Sequence, residues 1–262
     1  MRLLRRVLLL LLALAGVARA PAAGGVTVAA AANLVYVLAP LRAEFERTHP
    51  GVRVVVETGS SGNLVAMISN GAPYDVFLSA DLEFPRQLVQ SGGGVDGTLV
   101  TFAYGRLVLW TTRKDLEWKS VAEAVRDPRV ARIAIANPRT APFGRATEET
   151  LAQLGLGEVA RPKLVFAQDI GQAAQYVSSG NADAGFVALS LVAAPKLKHT
   201  GRWLAVPERL YVPIAEGAVL TRFGAGNAMA RDFLQFLVTP AARTIFQEYG
   251  YGLPAPSRAK RR

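Results

Sequence analysis

The sequence predicts an α/β fold, and three observations carry that prediction. Short β-rich runs alternate with helix-patterned segments over most of the chain. Glycine, proline and asparagine punctuate the junctions between them. Apolar residues make up 51% of the 262 positions and charged residues 19%, enough to bury a sizeable core. Such alternation implies parallel sheets covered by helices, and the length fits one large domain or two modest ones.

The elements follow in order. Residues 26–31 read as a first strand, after which Leu34, Leu38, Leu41 and Phe45 fall on one helical face that Pro50-Gly51 ends. Residues 52–57 form the next strand. Gly59-Ser60-Ser61-Gly62 then leads into a helix carrying Leu64, Met67 and Ile68, closed by Asn70-Gly71. Residues 75–79 are a third strand, and Gly92-Gly93-Gly94 is a loop. Residues 99–112 hold two β segments interrupted at Tyr104-Gly105. Ser120 and Glu123 form a capping box that opens a helix, which Asp127-Pro128 stops. Strands at 133–136, 164–167 and 184–187 alternate with helices near 145–154 and 171–179. Residues 210–221 are another long β segment, and two helices finish the chain, the second opened by Thr239-Pro240 and closed at Gly250. The two long β segments bracket a middle block, so the simplest architecture is two α/β lobes between which the chain crosses and later returns.

Composition narrows the function. The chain has no cysteine, which excludes disulfide scaffolds, thiolate metal sites and cysteine nucleophiles, and its two histidines, His49 and His199, argue against a histidine metal centre. The net charge of +10 resides at the ends: Arg2, Arg5, Arg6 and Arg19 precede residue 23, and Arg258, Lys260, Arg261 and Arg262 close the chain. Without these, 22 basic residues face 20 acidic ones, so the body offers no electrostatic footprint for nucleic acid. Residues 1–22 read as a signal peptide, with a basic start, a short apolar stretch at 7–15 and small residues at Ala18, Ala20 and Ala22. The apolar stretch is shorter than the roughly 20 residues of a spanning helix. Export to a bacterial periplasm is therefore expected, with 258–262 as a solvated basic tail.

The turns after the strands are chemically distinctive. Ala32-Asn33, Gly59 to Asn63, Ser79-Ala80-Asp81, Asn137 to Gly144 and Gln168 to Gly171 all stand where a strand gives way to a helix. Helix starts carry unpaired N–H groups and a partial positive charge, so several converging on one cleft can hold an anion without a cation. Taken singly, each of these turns reads first as an ordinary helix cap. The Gly-Ser-Ser-Gly doublet and Ala141-Pro142-Phe143-Gly144 are not demanded by capping.

The runs VTVAAAANL, VETGSSGNLVAMISNGAPYDVFLSAD, IANPRTAPFG, AQDIGQ and GNADAGFVALS, in that order, resemble the periplasmic molybdate-binding proteins of ABC importers, the ModA family, from about Val26 to Leu253. The resemblance implies a two-lobed type II periplasmic binding protein fold with two crossover segments. Lobe I would comprise 23–104 plus 212–257, and lobe II 105–211. It also implies a solute receptor that captures molybdate, and tungstate with it, as a hydrogen-bonded oxyanion. The receptor would need no cofactor or metal, catalyse nothing, act as a monomer, and deliver its ligand to an inner-membrane permease and its ATPase. Carried over by position, the ligand-binding residues are Ala32 and Asn33, Ser61, Ala80, Phe143 and Ile170. Two positions depart from the family pattern: Phe143 lacks the hydroxyl of an Ala-Pro-Tyr-Gly motif, and Ala188 stands where one branch has a ligand-contacting tyrosine. An inward-pointing ring at 143 would make a tyrosine there an extra donor.

Other readings remain beside this one: a receptor for another oxyanion or small solute, or a periplasmic sensor or enzyme on the same bilobal fold. A serine nucleophile at Ser60 or Ser61 lacks a histidine within any motif. Asp75, Asp81 and Asp169 read as helix caps and arginine partners rather than a carboxylate pair. Arg139 and Arg145 either guide anions toward the cleft or sit in solvent.

Overall fold

The computed structural model of the chain describes residues 24–255; the expected signal segment and basic tail lie outside them. The first sheet takes β1 (Gly25–Ala31), β2 (Arg53–Gly59), β3 (Val76–Ser79), β4 (Val100–Gly105) and β10 (Ile214–Leu220), in the order β2-β1-β3-β10-β4. The second takes β5 (Leu107–Thr111), β6 (Ile133–Ala136), β7 (Leu164–Ala167), β8 (Ala184–Ala188) and β9 (Arg202–Ala205), in the order β7-β6-β8-β5-β9. The chain passes from one lobe to the other at Arg106 and returns through 206–213.

The sheets are mixed, which departs from the parallel expectation. β1, β2 and β3 run parallel, as do β6, β7 and β8, but β10 is antiparallel to β3 and β4, and β5 to β8 and β9. The strands entered from a crossing, β5 and β10, are the reversed ones, because the chain arrives there from the other lobe rather than over a covering helix. The inner parallel strands β1, β3, β6 and β8 are mostly buried and read as near-continuous apolar runs, such as the four buried residues of β6, whereas the edge strands β2 and β7 are partly exposed.

Helices cover both lobes: α1 (Leu38–Thr48), α2 (Ser61–Ser69), α3 (Glu83–Gln90), α4 (Val121–Arg126), α5 (Pro142–Gln153), α6 (Gly157–Ala160), α7 (Ile170–Ser178), α8 (Leu189–Val192), α9 (Ala228–Phe236) and α10 (Pro240–Glu248). The periodicity of α1 buries Leu38, Leu41 and Phe45, and Phe45 packs edge-on against Phe233 of α9. Leu64 and Ile68 of α2 join Phe84 and Leu88 of α3 against Phe77 on the opposite face of the first sheet. Met67, expected on that apolar face, is 38% exposed. Ser120 Oγ accepts the Glu123 N–H at 3.2 Å as the capping box requires, and Thr239 caps α10 in the same manner. The sequence reading missed α3, β9 and the two one-turn helices α6 and α8. β10 begins at Ile214 rather than at Leu210, which lies in a short 3-10 turn ahead of Pro213.

Candidate functional site

Because β1, β2 and β3 are parallel, their carboxyl ends lie at one edge of the first sheet, and those of β6 and β7 lie at one edge of the second. The five turns that leave these ends meet between the lobes. They line a small, tight pocket that opens between the lobes. Ala32 and Asn33, Ser61, Ala80, Phe143 and Ile170, the six positions singled out in the sequence, all line it. Ala31, Gly59, Ser60, Ala141, Pro142 and Asp169 complete the wall, and no lysine, arginine or histidine belongs to it. Two wider grooves flank the cavity, walled mainly by helix flanks: one runs past Tyr36, Gln172 and Lys196, the other past Arg86, Arg145 and Glu149.

Each turn offers polar groups in a different way. Ala32 and Asn33 open a short 3-10 helix, whose leading N–H groups have no partner within it. Ser61, Phe143 and Ile170 stand in the first turns of α2, α5 and α7, where the helix dipoles present positive ends. Ser60 is buried, and its hydroxyl meets no partner. The Ala80 N–H, expected to face a ligand, instead donates to Ser61 Oγ at 3.1 Å. That bond ties the turns after β2 and β3 together and leaves the Ser61 proton free to be donated, with its hydroxyl polarised.

Two side chains are oriented differently from the sequence expectation. Asn33 Nδ2 donates to Glu216 Oε1 at 2.6 Å and to the Tyr251 hydroxyl at 3.2 Å, so the amide nitrogen is engaged away from the cavity. The Phe143 ring reaches toward the first crossing: a Cβ placed on Gly105 would lie 2.8 Å from Phe143 Cζ and 2.9 Å from Glu216 Oε1. A hydroxyl on that ring would therefore meet Gly105, not an occupant of the cavity. Ala188 is buried at the end of β8.

The aspartates near the turns already have structural partners. Asp169 Oδ1 caps α7 through the Gln172 N–H at 2.9 Å, and Asp81 Oδ1 accepts the Phe84 N–H at 3.1 Å. Asp75 accepts from the N–H and hydroxyl of Thr27 and from Asn227. Neither His49 nor His199 lines the cavity, and His49 stacks on Phe45. Among the described residues, no group of three or more His, Asp or Glu side chains could hold a metal ion.

Contacts between the lobes close over the cavity. The Gly62 N–H donates to Thr140 O at 2.9 Å, and Gly62 permits the approach: a Cβ there would stand 3.0 Å from Thr140 Cα and from Phe84 Cζ. Arg145 of α5 pairs with Asp81, and Ser190 Oγ of the second lobe donates to Asn33 O at 2.9 Å. Sequence reasoning missed Ser60 as a cavity wall, and also Ser190, Glu216 and Tyr251. A visible signal existed for Glu216, a lone acid within the apolar strand β10. Burial pushes the Glu216 carboxyl well above the usual carboxylate range, and burial followed by the Glu216 charge pushes up the Tyr251 phenol.

Comparison with known proteins adds to this geometry. The family model for bacterial extracellular solute-binding proteins matches residues 26–252. The chain is 41% identical over 237 residues to the molybdate-binding protein ModA of Rhodobacter capsulatus, covering 90% of this chain and 91% of that one. It is 39% identical over 231 residues to ModA of Azotobacter vinelandii, covering 88% and 91%. The solved structure of the Azotobacter vinelandii periplasmic molybdate-binding protein superposes with a TM-score of 0.82 at 37% identity, covering 88% of this chain and all of that one.

Proposed function

Because the chain belongs to the bacterial extracellular solute-binding proteins, and among them to the family of the molybdate-binding protein ModA, we propose that it captures molybdate, and tungstate with it, outside the cytoplasm. The observation that carries this reading is the convergence of five strand-end turns on one small cavity without a cationic side chain. A tetrahedral oxyanion suits such a wall: the Ser60 and Ser61 hydroxyls and the leading N–H groups of several helices supply preformed donors, and the one carboxylate present, Asp169, is engaged by the Gln172 N–H. Ser60, Ser61 and the leading N–H groups at Asn33, Phe143 and Ile170 are the proposed donors. No step of bond making follows, so the protein binds and releases, and it is not an enzyme.

In the same reading, residues 1–22 direct export and are removed. The lobes, 23–104 with 212–257 and 105–211, close by rotation about the two crossings. The monomeric closed form is what an inner-membrane ABC permease and its ATPase accept. Isothermal titration of the mature protein with molybdate, tungstate, sulfate and phosphate tests the assignment. Molybdate and tungstate are expected to bind tightly and alike, with sulfate and phosphate far weaker. A preference for sulfate would overturn it in favour of a second reading, a receptor for another oxyanion. That alternative draws on the absence of tyrosine hydroxyls at Phe143 and Ala188.

A further inference from the structure

Glu216 is the only ionisable residue of β10, and it is fully buried at the irregularity where β10 shifts register against β4. Among the described residues it forms no ion pair. Its one hydrogen-bond donor is Asn33 Nδ2, at 2.6 Å from Oε1. The Asn33 backbone carbonyl is held as well, by the Tyr251 hydroxyl at 2.9 Å and by Ser190 Oγ at 2.9 Å. Asn33 is thus held by three residues distant in sequence, and Glu216 makes the shorter of the two contacts to its side-chain amide.

The pair has a deficit that one proton removes. Asn33 Oδ1 and Glu216 Oε2 are both buried, both acceptors, and neither meets a donor. With Glu216 ionised, these oxygens would remain unsatisfied beside a buried charge that no cation compensates, which is the costliest arrangement a protein interior can hold. With Glu216 protonated, the pair gains the donor it lacks and loses the charge.

We propose that Glu216 is a positioning residue that works as a neutral acid, sharing one proton with Asn33 so that the first anion-binding turn is held without negative charge behind it. The inference rests on the reading of the Asn33 turn as part of an oxyanion site. Other titratable groups on the elements packed against β10 are Tyr104 on β4, Glu83 and Arg86 on α3, Arg145, Glu148 and Glu149 on α5, and Arg231 and Asp232 on α9. None of them hydrogen-bonds to Glu216, and Tyr251 alone shares Asn33 with it. Ionising Glu216 would both break the shared proton and set a negative charge beside the site of a dianion, so the proton and the affinity are coupled.

Two measurements on the mature protein test this. Infrared difference spectra between wild type and Glu216→Gln at neutral pH are expected to contain the carbonyl band of a protonated carboxylic acid; a carboxylate band in its place would overturn the proposal. Titration with sodium molybdate is expected to give Glu216→Gln an affinity within about twofold of wild type, because an amide also accepts from Asn33 Nδ2 and donates to Oδ1. Glu216→Ala is expected to lose about tenfold or more. A Gln variant that loses as much as the Ala variant would overturn the positioning role. Where alkaline titration removes the infrared band, the molybdate Kd of wild type should rise with it while that of Glu216→Gln stays level. Failure of every variant to bind molybdate would count against the functional reading alone, since the infrared spectra report on the proton without a ligand.

Discussion

Arg145, in the first turn of α5, reaches across the cleft to Asp81 at the end of β3, and its guanidinium also lies 3.5 Å from Glu83 and 5.3 Å from the centre of the Phe84 ring. The two lobes are thereby joined by a charge pair beside the cavity and not within it. The sequence left Arg145 open as an anion guide or a solvated residue; in the structure it is a bridge between lobes.

Arg145→Ala should accordingly speed release more than it slows capture. A partly buried pair that still reaches solvent contributes about 1 kcal/mol, so the dissociation rate should rise by roughly fivefold. Stopped-flow measurement of molybdate release checks this, and a variant whose loss appears in the association rate would show that Arg145 steers the ligand. The equilibrium affinity should depend only weakly on salt, because no cationic side chain lines the cavity.

Ser60→Ala and Ser61→Ala should separate binding from stability. Ser60 occupies the cap position of α2 but makes no capping bond, and its buried hydroxyl has no partner, so its removal should leave the melting temperature nearly unchanged. Ser61→Ala also strands the Ala80 N–H and should lower stability slightly. Each hydroxyl lost from a charged ligand costs about 1.5–3 kcal/mol, tenfold or more in affinity. Unchanged titration curves for either variant would remove that serine from the site.

Gly62→Ala should weaken binding while sparing the ligand-free fold. The residue lies in a helix, where alanine is the better former, and this offsets the small shift its methyl would ask of the Phe84 ring within lobe I, so the ligand-free stability is expected to change little. Its methyl group would press on Thr140 of the other lobe and hold the cleft ajar. Small-angle scattering with saturating molybdate should then show incomplete compaction; full compaction would mean that the contact is dispensable.

Phe143→Tyr is expected to cost stability without improving affinity. The added hydroxyl would project from Cζ into the space taken by Gly105, and overpacking of this kind costs typically about 1–3 kcal/mol. Urea denaturation and molybdate titration together check both halves. Tighter binding would show that the ring turns toward the ligand.

Acid should expose the role of Asp127. Hydrogen bonds from Arg129, and then from Trp118 Nε1 at 2.8 Å, hold its carboxyl well below the usual 3.8. A group depressed in the folded state contributes stability above its unfolded pKa and loses that contribution as the pH falls. Wild type should therefore exceed Asp127→Asn in melting temperature near neutrality, and the gap should close progressively below pH 3.8. A gap independent of pH would assign the difference to packing alone.

Much of this arrangement was legible in the sequence because it is local. The strand-to-helix turns announce themselves through Asn33, Gly59 to Gly62, and Ala141 to Gly144, and parallel strands bring such turns to one edge whatever lies between them. What stayed hidden depends on long-range contact. Tyr251 meets Asn33 across 218 positions and Ser190 meets it across 157, separations that leave no periodic trace. The direction of the Phe143 ring is set by Gly105, on the strand that leads into the first crossing. Helix α3 escaped because its first turn rests on an aspartate, Asp81, that equally suits a ligand-facing turn.

The place of β10 between β3 and β4 also dictates an order of assembly. All five strands of the second sheet lie within one continuous stretch, Leu107 to Ala205, whereas the first sheet stays divided until residues 214–220 have emerged. A chain delivered amino end first therefore completes its second lobe before its first, reversing the usual progression along a chain. Until then β3 presents an unpaired edge to whatever surrounds it. The early, half-built lobe is thus the intermediate on which a holding chaperone would act, and slowing the arrival of β10 would lengthen its exposure to aggregation.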